Sequence, residues 1–102
     1  MSSADNIRGI VILDRDGVLN EMVVDAEHGT VDSPLHPSQI KMIPRAAEAV
    51  AQINRLGYLT AIATNQPSAA KGKTTRANLE AVQTEVIRLI ESAGGAIINS
   101  QI

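Results

Sequence analysis

The pattern of apolar and polar positions changes period several times along the chain, and each change marks an element. Ile10-Val11-Ile12-Leu13 is an unbroken aliphatic run between Gly9 and Asp14. Such a run is what a strand buried on both faces of a parallel sheet requires. From Val18 to Ile43 the pattern breaks up. Short β-like pieces, Val18-Leu19 and Met22-Val23-Val24, lead to the turn-prone Asp25-Ala26-Glu27-His28-Gly29. Ser33-Pro34-Leu35-His36-Pro37-Ser38 follows, and its two prolines exclude regular helix. An excursion of about 26 residues is long for a connection and predicts a functional flap over the strand end.

Helical spacing then sets in. Pro44 is predicted at the first helical position, where its missing N–H costs nothing. Ala46, Ala47, Val50, Ile53 and Leu56 mark one face, and Gly57 ends the helix. Leu59 to Thr64 reads as a second strand. Thr74 or Thr75 caps a second helix with Leu79, Val82, Val86, Leu89 and Ile90 on one face, closed by Gly94-Gly95. Ala96-Ile97-Ile98-Asn99 is the expected third strand.

Strand–helix–strand crossovers are right-handed in ~98% of cases, so the three strands should run parallel in the order 1-2-3 with both helices on one face. The expected fold is therefore α/β: a partial Rossmann-like parallel sheet of three strands and two helices, with a flap after the first strand. Residues 1–102 are expected to form a single incomplete domain, an amino-terminal part or a shortened form. Its first βαβ unit spans 8–64 with the flap at 18–43, and the second helix and third strand occupy 65–102. Side chains alternate along a strand, so helices on one face cover only half of the first strand. The bare face and open edge predict a homodimer or a marginally folded monomer.

Composition narrows the class. With 44% hydrophobic and 20% charged residues, and Tyr58 as the only aromatic, this is an aliphatic-cored globular chain. No apolar run approaches the ~18 residues of a membrane span, and the polar start to Arg8 lacks the basic and apolar regions of a signal peptide. The absence of cysteine excludes disulfides and thiolate zinc sites and fits a cytoplasmic location. A net charge of −2 without a basic patch gives no nucleic-acid surface.

The chemistry concentrates at the carboxyl end of the first strand. Asp14 and Asp16 stand there, separated by Arg15 and followed by Gly17. Open α/β sheets bind ligands at that end, and two carboxylates there ask for a cation. A plain strand-ending turn is the alternative, since Asp and Gly are turn residues. The EF-hand pattern does not fit, because Gly17 comes fourth rather than sixth. If the second strand lies beside the first, Thr64 and Asn65 face the same place, as a hydroxyl and backbone N–H groups suited to an anion. His28 and His36 have no second histidine or acid at metal-ligand spacing, and are expected to be solvated loop residues.

Leu13-Asp14-Arg15-Asp16-Gly17-Val18-Leu19-Asn20, followed by Thr64-Asn65-Gln66 at the next strand end, resembles the haloacid dehalogenase superfamily of phosphohydrolases. Within it the chain is most similar to the capless phosphatases of heptose bisphosphate and histidinol phosphate. Ala70-Lys71-Gly72 matches the Ala-Arg-Gly that ends the loop in the heptose branch, with Lys for Arg. The resemblance spans about residues 7 to 102 and implies a Mg²⁺-dependent hydrolase of a small phosphorylated metabolite such as a sugar bisphosphate. It implies that Asp14 is the nucleophile and a Mg²⁺ ligand. Asp16 is implied as the general acid/base, with its backbone carbonyl a second Mg²⁺ ligand. Arg15, Thr64, Asn65, Gln66 and Lys71 are implied at the phosphate or substrate.

The family also uses a later lysine and an acidic pair, which these residues do not place. Lys71 and Lys73 are the cations nearest in sequence, and Glu21-Met22-Val23-Val24 replaces the stretch often found in heptose enzymes. Two other readings stay open. One is a catalytically silent interaction module of the same fold. The other is a nucleotide-binding P-loop at Pro67 to Thr74, weakened by a proline where that loop needs its first glycine.

Overall fold

The computed structural model describes residues 7–64, 72 and 74–101. Most of the expected polar tail and of the Pro67 to Thr74 stretch therefore lies outside the described residues. Eight short elements follow one another: β1 (Gly9–Asp14), β2 (Val23–Asp25), β3 (Thr30–Asp32), a 3₁₀ turn at Pro37–Gln39, α1 (Ala46–Arg55), β4 (Tyr58–Ala63), α2 (Arg76–Ser92) and β5 (Asn99–Gln101).

The three-stranded sheet has the order β1-β4-β5, with β4 parallel to both neighbours. The expected parallel sheet is present. Its register places Gly9 opposite Tyr58 and Asp14 opposite Ala63, so the two longer strands end together. Leu13 and Ile62, paired in that register, lie on the face that packs with Val50 of α1 and Val86 and Ile90 of α2. Burying each such aliphatic is worth about 1.5–3 kcal/mol, so this interface contributes substantially to the fold's cohesion. The opposite face of β1 is open: Ile10 is 59% and Ile12 69% exposed. An aliphatic run thus marks both faces of a strand of which only one is covered here.

Several boundaries move for local reasons. Pro44 does not occupy the first helical turn. Arg45 adopts a left-handed conformation (φ 67°) and caps α1, so the helix starts at Ala46. Leu56, expected on the apolar face, is the cap residue after α1 and is 60% exposed, because the helix ends before that face returns. The third strand begins at Asn99, not Ala96. Ala96 is committed elsewhere: its N–H donates to Asn54 Oδ1 and its carbonyl accepts from the buried Thr60 hydroxyl. Asn54 Nδ2 in turn donates to the Tyr58 carbonyl and to Thr60 Oγ1, at 3.0 and 3.1 Å. α2 matches its expectation closely, with Thr75 Oγ1 accepting from Asn78 N at 3.1 Å.

The flap is an antiparallel hairpin. β2 and β3 pair Val23 with Asp32 and Asp25 with Thr30, and the second proline of the following stretch, Pro37, opens the 3₁₀ turn. Its base closes beside the end of β1, where Asn20 bridges Met42, Glu21 N donates to Lys41 O, and Ile43 N donates to Leu19 O. No helix among the described residues is long and apolar enough to cross a membrane.

Candidate active site

Asp14 ends β1, and its side chain is exposed. The chain then turns sharply. The Arg15 carbonyl accepts from the amides of Val18, Leu19 and Asn20, at 3.2, 2.7 and 3.2 Å, and Gly17 N donates to Asn20 O at 2.8 Å. Gly17 has φ 85°, which only glycine adopts without a steric cost, so this residue makes the turn possible. The turn holds Asp14 and Asp16 within two residues of each other, at the end of the sheet where open α/β folds bind ligands.

Asp14 Oδ1 accepts from the backbone N–H of Arg15 at 2.9 Å. Asp16 Oδ1 accepts from Arg15 Nε and from Asn20 Nδ2, both at 3.0 Å. Because Asp14 pairs with Ala63 on β4, Thr64 lies one residue beyond the neighbouring strand end and is half-buried. The adjacency on which the anion-cradle reading depends is therefore real. Asn65, Gln66, Lys71 and Lys73 lie outside the described residues.

Arg15, expected at the phosphate, is fully buried, with Nε on Asp16 and Nη1 donating to Gln83 Oε1 of α2 at 2.8 Å. The guanidinium is enclosed between the turn and α2 and turned away from solvent. Arg15 Nη2, Asn20 Oδ1 and Gln83 Nε2 are buried without a hydrogen-bond partner among the described residues. An unsatisfied buried polar group costs about 1–3 kcal/mol, so this cluster is retained against its own energetic cost. Sequence reasoning missed Gln83, whose helical position marks nothing but a polar residue on an apolar face.

A second polar cluster sits at the hairpin turn. Asp25 Oδ1 accepts from the amides of Glu27 and His28, and Asp25 Oδ2 lies 2.8 Å from His28 Nδ1. The side-chain hydrogen bond from His28, then its backbone N–H, hold the Asp25 carboxyl below the usual aspartate value. Asp25, Glu27 and His28 bring their ligand atoms within 4.8 Å of one another. Acids thus stand beside His28, for which no acid at metal-ligand spacing was expected: the turn folds Asp25 and Glu27 against it. All three are exposed, as is His36. A cavity of about 440 Å³ lies against this hairpin, bounded by Val23, Asp25, His28 and Leu35 among others, and Asp14 and Asp16 do not line it.

No family model matches the chain. Individual relatives do. It is 36% identical over 90 residues to the D-glycero-beta-D-manno-heptose-1,7-bisphosphate 7-phosphatase of Pseudomonas aeruginosa, covering 88% of this chain and 47% of the relative. The enzyme of the same name from Pseudomonas putida is 35% identical over 88 residues, covering 86% and 46%. The chain thus spans about half the length of these curated relatives.

Among solved structures, a D,D-heptose 1,7-bisphosphate phosphatase from B. bronchiseptica, complexed with magnesium and phosphate, superposes with a TM-score of 0.74 at 27% identity. It covers 90% of this chain and 48% of that one. The corresponding phosphatase from Burkholderia thailandensis gives 0.66 at 30% identity, covering 92% and 51%. In sequence and in fold together, the chain is similar to the amino-terminal part of haloacid dehalogenase-type phosphatases named for heptose bisphosphate.

Proposed function

We propose that this chain carries the nucleophile and the acid/base of a Mg²⁺-dependent phosphomonoester hydrolase acting on a small phosphorylated metabolite. The relatives' names favour a sugar bisphosphate, and hence a role in carbohydrate metabolism; the cysteine-free composition fits a cytoplasmic setting for it. The observation that supports it most is the register of β1 and β4, which sets Asp14 at one strand end and Thr64 just past the other.

The donor set suits the metal. An exposed carboxylate at Asp14 and the backbone carbonyl of Asp16 are hard oxygen ligands of the kind Mg²⁺ takes. Bound there, the ion supplies the charge neutralisation that lets an anionic carboxylate approach an anionic phosphate.

Asp14 attacks phosphorus in line, forming an aspartyl phosphate as the P–O bond to the metabolite breaks. Asp16 gives its proton to the departing oxygen, so the metabolite leaves as an alcohol. Asp16 then takes a proton from water, and that water attacks phosphorus, releasing inorganic phosphate and restoring Asp14. The Thr64 hydroxyl and the Asn65 N–H donate to the phosphoryl oxygens, with Gln66 and Lys71 of the same loop toward the substrate. Phosphoryl transfer depends mainly on such positioning and charge stabilisation.

The test is phosphate release from heptose 1,7-bisphosphate and from p-nitrophenyl phosphate, with and without Mg²⁺. Release that needs Mg²⁺ and disappears in Asp14→Asn is expected. For the 102 residues by themselves it should be slow. The resemblance implies further lysine and acidic groups, each worth about 10²–10³ in rate. Release that is indifferent to Asp14→Asn, or none at all under any condition, would leave the silent binding module of the same fold.

A further inference from the structure

Arg15, Asn20 and Gln83 are 0%, 0% and 4% exposed, and the first two meet on one oxygen of Asp16. Arg15 Nε and Asn20 Nδ2 reach Asp16 Oδ1 directly, while Arg15 Nη1 is held by Gln83 Oε1 from α2, 68 residues away. A guanidinium is a rigid plane whose N–H groups point in fixed directions. Fixing Nη1 on α2 therefore fixes where Nε points, and with it the Asp16 carboxylate. The cluster is also incomplete, with one buried polar atom on each of the three residues lacking a partner among the described residues. Incomplete buried networks need a reason other than stability, and positioning a reactive group is one.

Resting on the phosphatase reading above, we propose that Arg15 is a positioning residue: gripped by Gln83, it holds the Asp16 carboxylate in one rotamer at the strand end. The orientation of the acid/base is then set by α2 as well as by the turn that carries it. Asn20 provides the second hold on the same oxygen and ties it to the base of the flap.

Two readings on the protein as encoded test this. NMR three-bond couplings report the Asp16 χ1 rotamer, and the exchange rate of the Arg15 Nε–H reports its enclosure. Steady-state hydrolysis of p-nitrophenyl phosphate separates kcat from KM. The wild-type protein should show a single Asp16 rotamer and a slowly exchanging Nε–H. In Gln83→Leu, with α2 amides still protected, the rotamer should average and kcat should fall about 10- to 100-fold while KM changes little. Gln83→Glu, which keeps an acceptor facing Nη1, should recover most of the loss.

If Gln83→Leu does not fold, Arg15→Lys keeps the charge without the fork and gives the same readings. An Asp16 rotamer that is already averaged in the wild type, or that stays fixed in folded Gln83→Leu, overturns the proposal. So does an unchanged kcat once the rotamer is lost. Wild-type protein that hydrolyses nothing while Gln83→Leu still frees Asp16 would leave the positioning intact and refute the phosphatase reading instead.

Discussion

Asp14 stands in register with Ala63, so the carboxylate that ends β1 and the hydroxyl of Thr64 follow from two adjacent parallel strands that stop together. The phosphoryl group is expected between them. Thr64→Val should therefore lower kcat by about 10²–10³, the usual effect of removing one preorganised donor. Steady-state assays of a folded variant check this, and an unchanged kcat would remove Thr64 from the site.

Gly17→Ala should destabilise the protein by about 1 kcal/mol through the backbone alone. An added Cβ meets nothing within 4 Å, so no clash contributes, but φ 85° is costly for any side chain. Gly17→Asn should lose less, because asparagine tolerates the left-handed region better. Urea melts of the two variants measure the difference.

Arg45 is the only described non-glycine residue with positive φ. Its side chain caps nothing, so Arg45→Gly should stabilise the protein by about 0.5–1 kcal/mol. A lower urea midpoint in the variant would show that the arginine compensates elsewhere.

The hairpin turn should respond to acid. The Asp25 carboxyl is depressed in the folded protein, first by His28, so its contribution is fully present above the ordinary aspartate value of ~3.9. That contribution is lost as pH falls through the lower folded value. The amide resonances of Glu27 and His28, which donate to Asp25, should shift together across that acidic window. His28→Ala should move the midpoint toward the ordinary value.

Ile10 and Ile12 present two large aliphatic side chains on the open face of β1. Self-association that rises with concentration is expected, and Ile12→Thr should reduce it while keeping the β-branched shape a strand favours. Sedimentation over a range of dilutions checks this. A concentration-independent monomer would contradict it.

What could be read from the sequence was whatever depends on neighbours along the chain. The aliphatic run of β1, the Thr75 cap and the apolar face of α2 are local patterns, and each forms as its spacing predicts. Strand adjacency also followed, because right-handed strand–helix–strand crossovers leave few arrangements. The burial of Arg15 was not legible because its partner Gln83 is 68 residues away and nothing in either residue's surroundings announces the other. β5 was set three residues early for a related reason. Ala96 to Ile98 has strand composition, but side chains from α1 and β4 claim the Ala96 backbone first. Pro44 was read by its general preference, and Arg45 overrode it with one backbone angle.

The bracket of Asn54, Thr60 and Ala96 makes the sheet mechanically lopsided. At the end where β4 begins, a side chain from α1 ties together the start of that strand and the segment leading into β5. At the other end β5 meets β4 through only three paired positions, the last being Ala63 with Gln101. Thermal agitation should therefore peel β5 from β4 starting at Ala63, like a zipper whose far end is pinned, while β1 stays paired with β4 as far as Asp14.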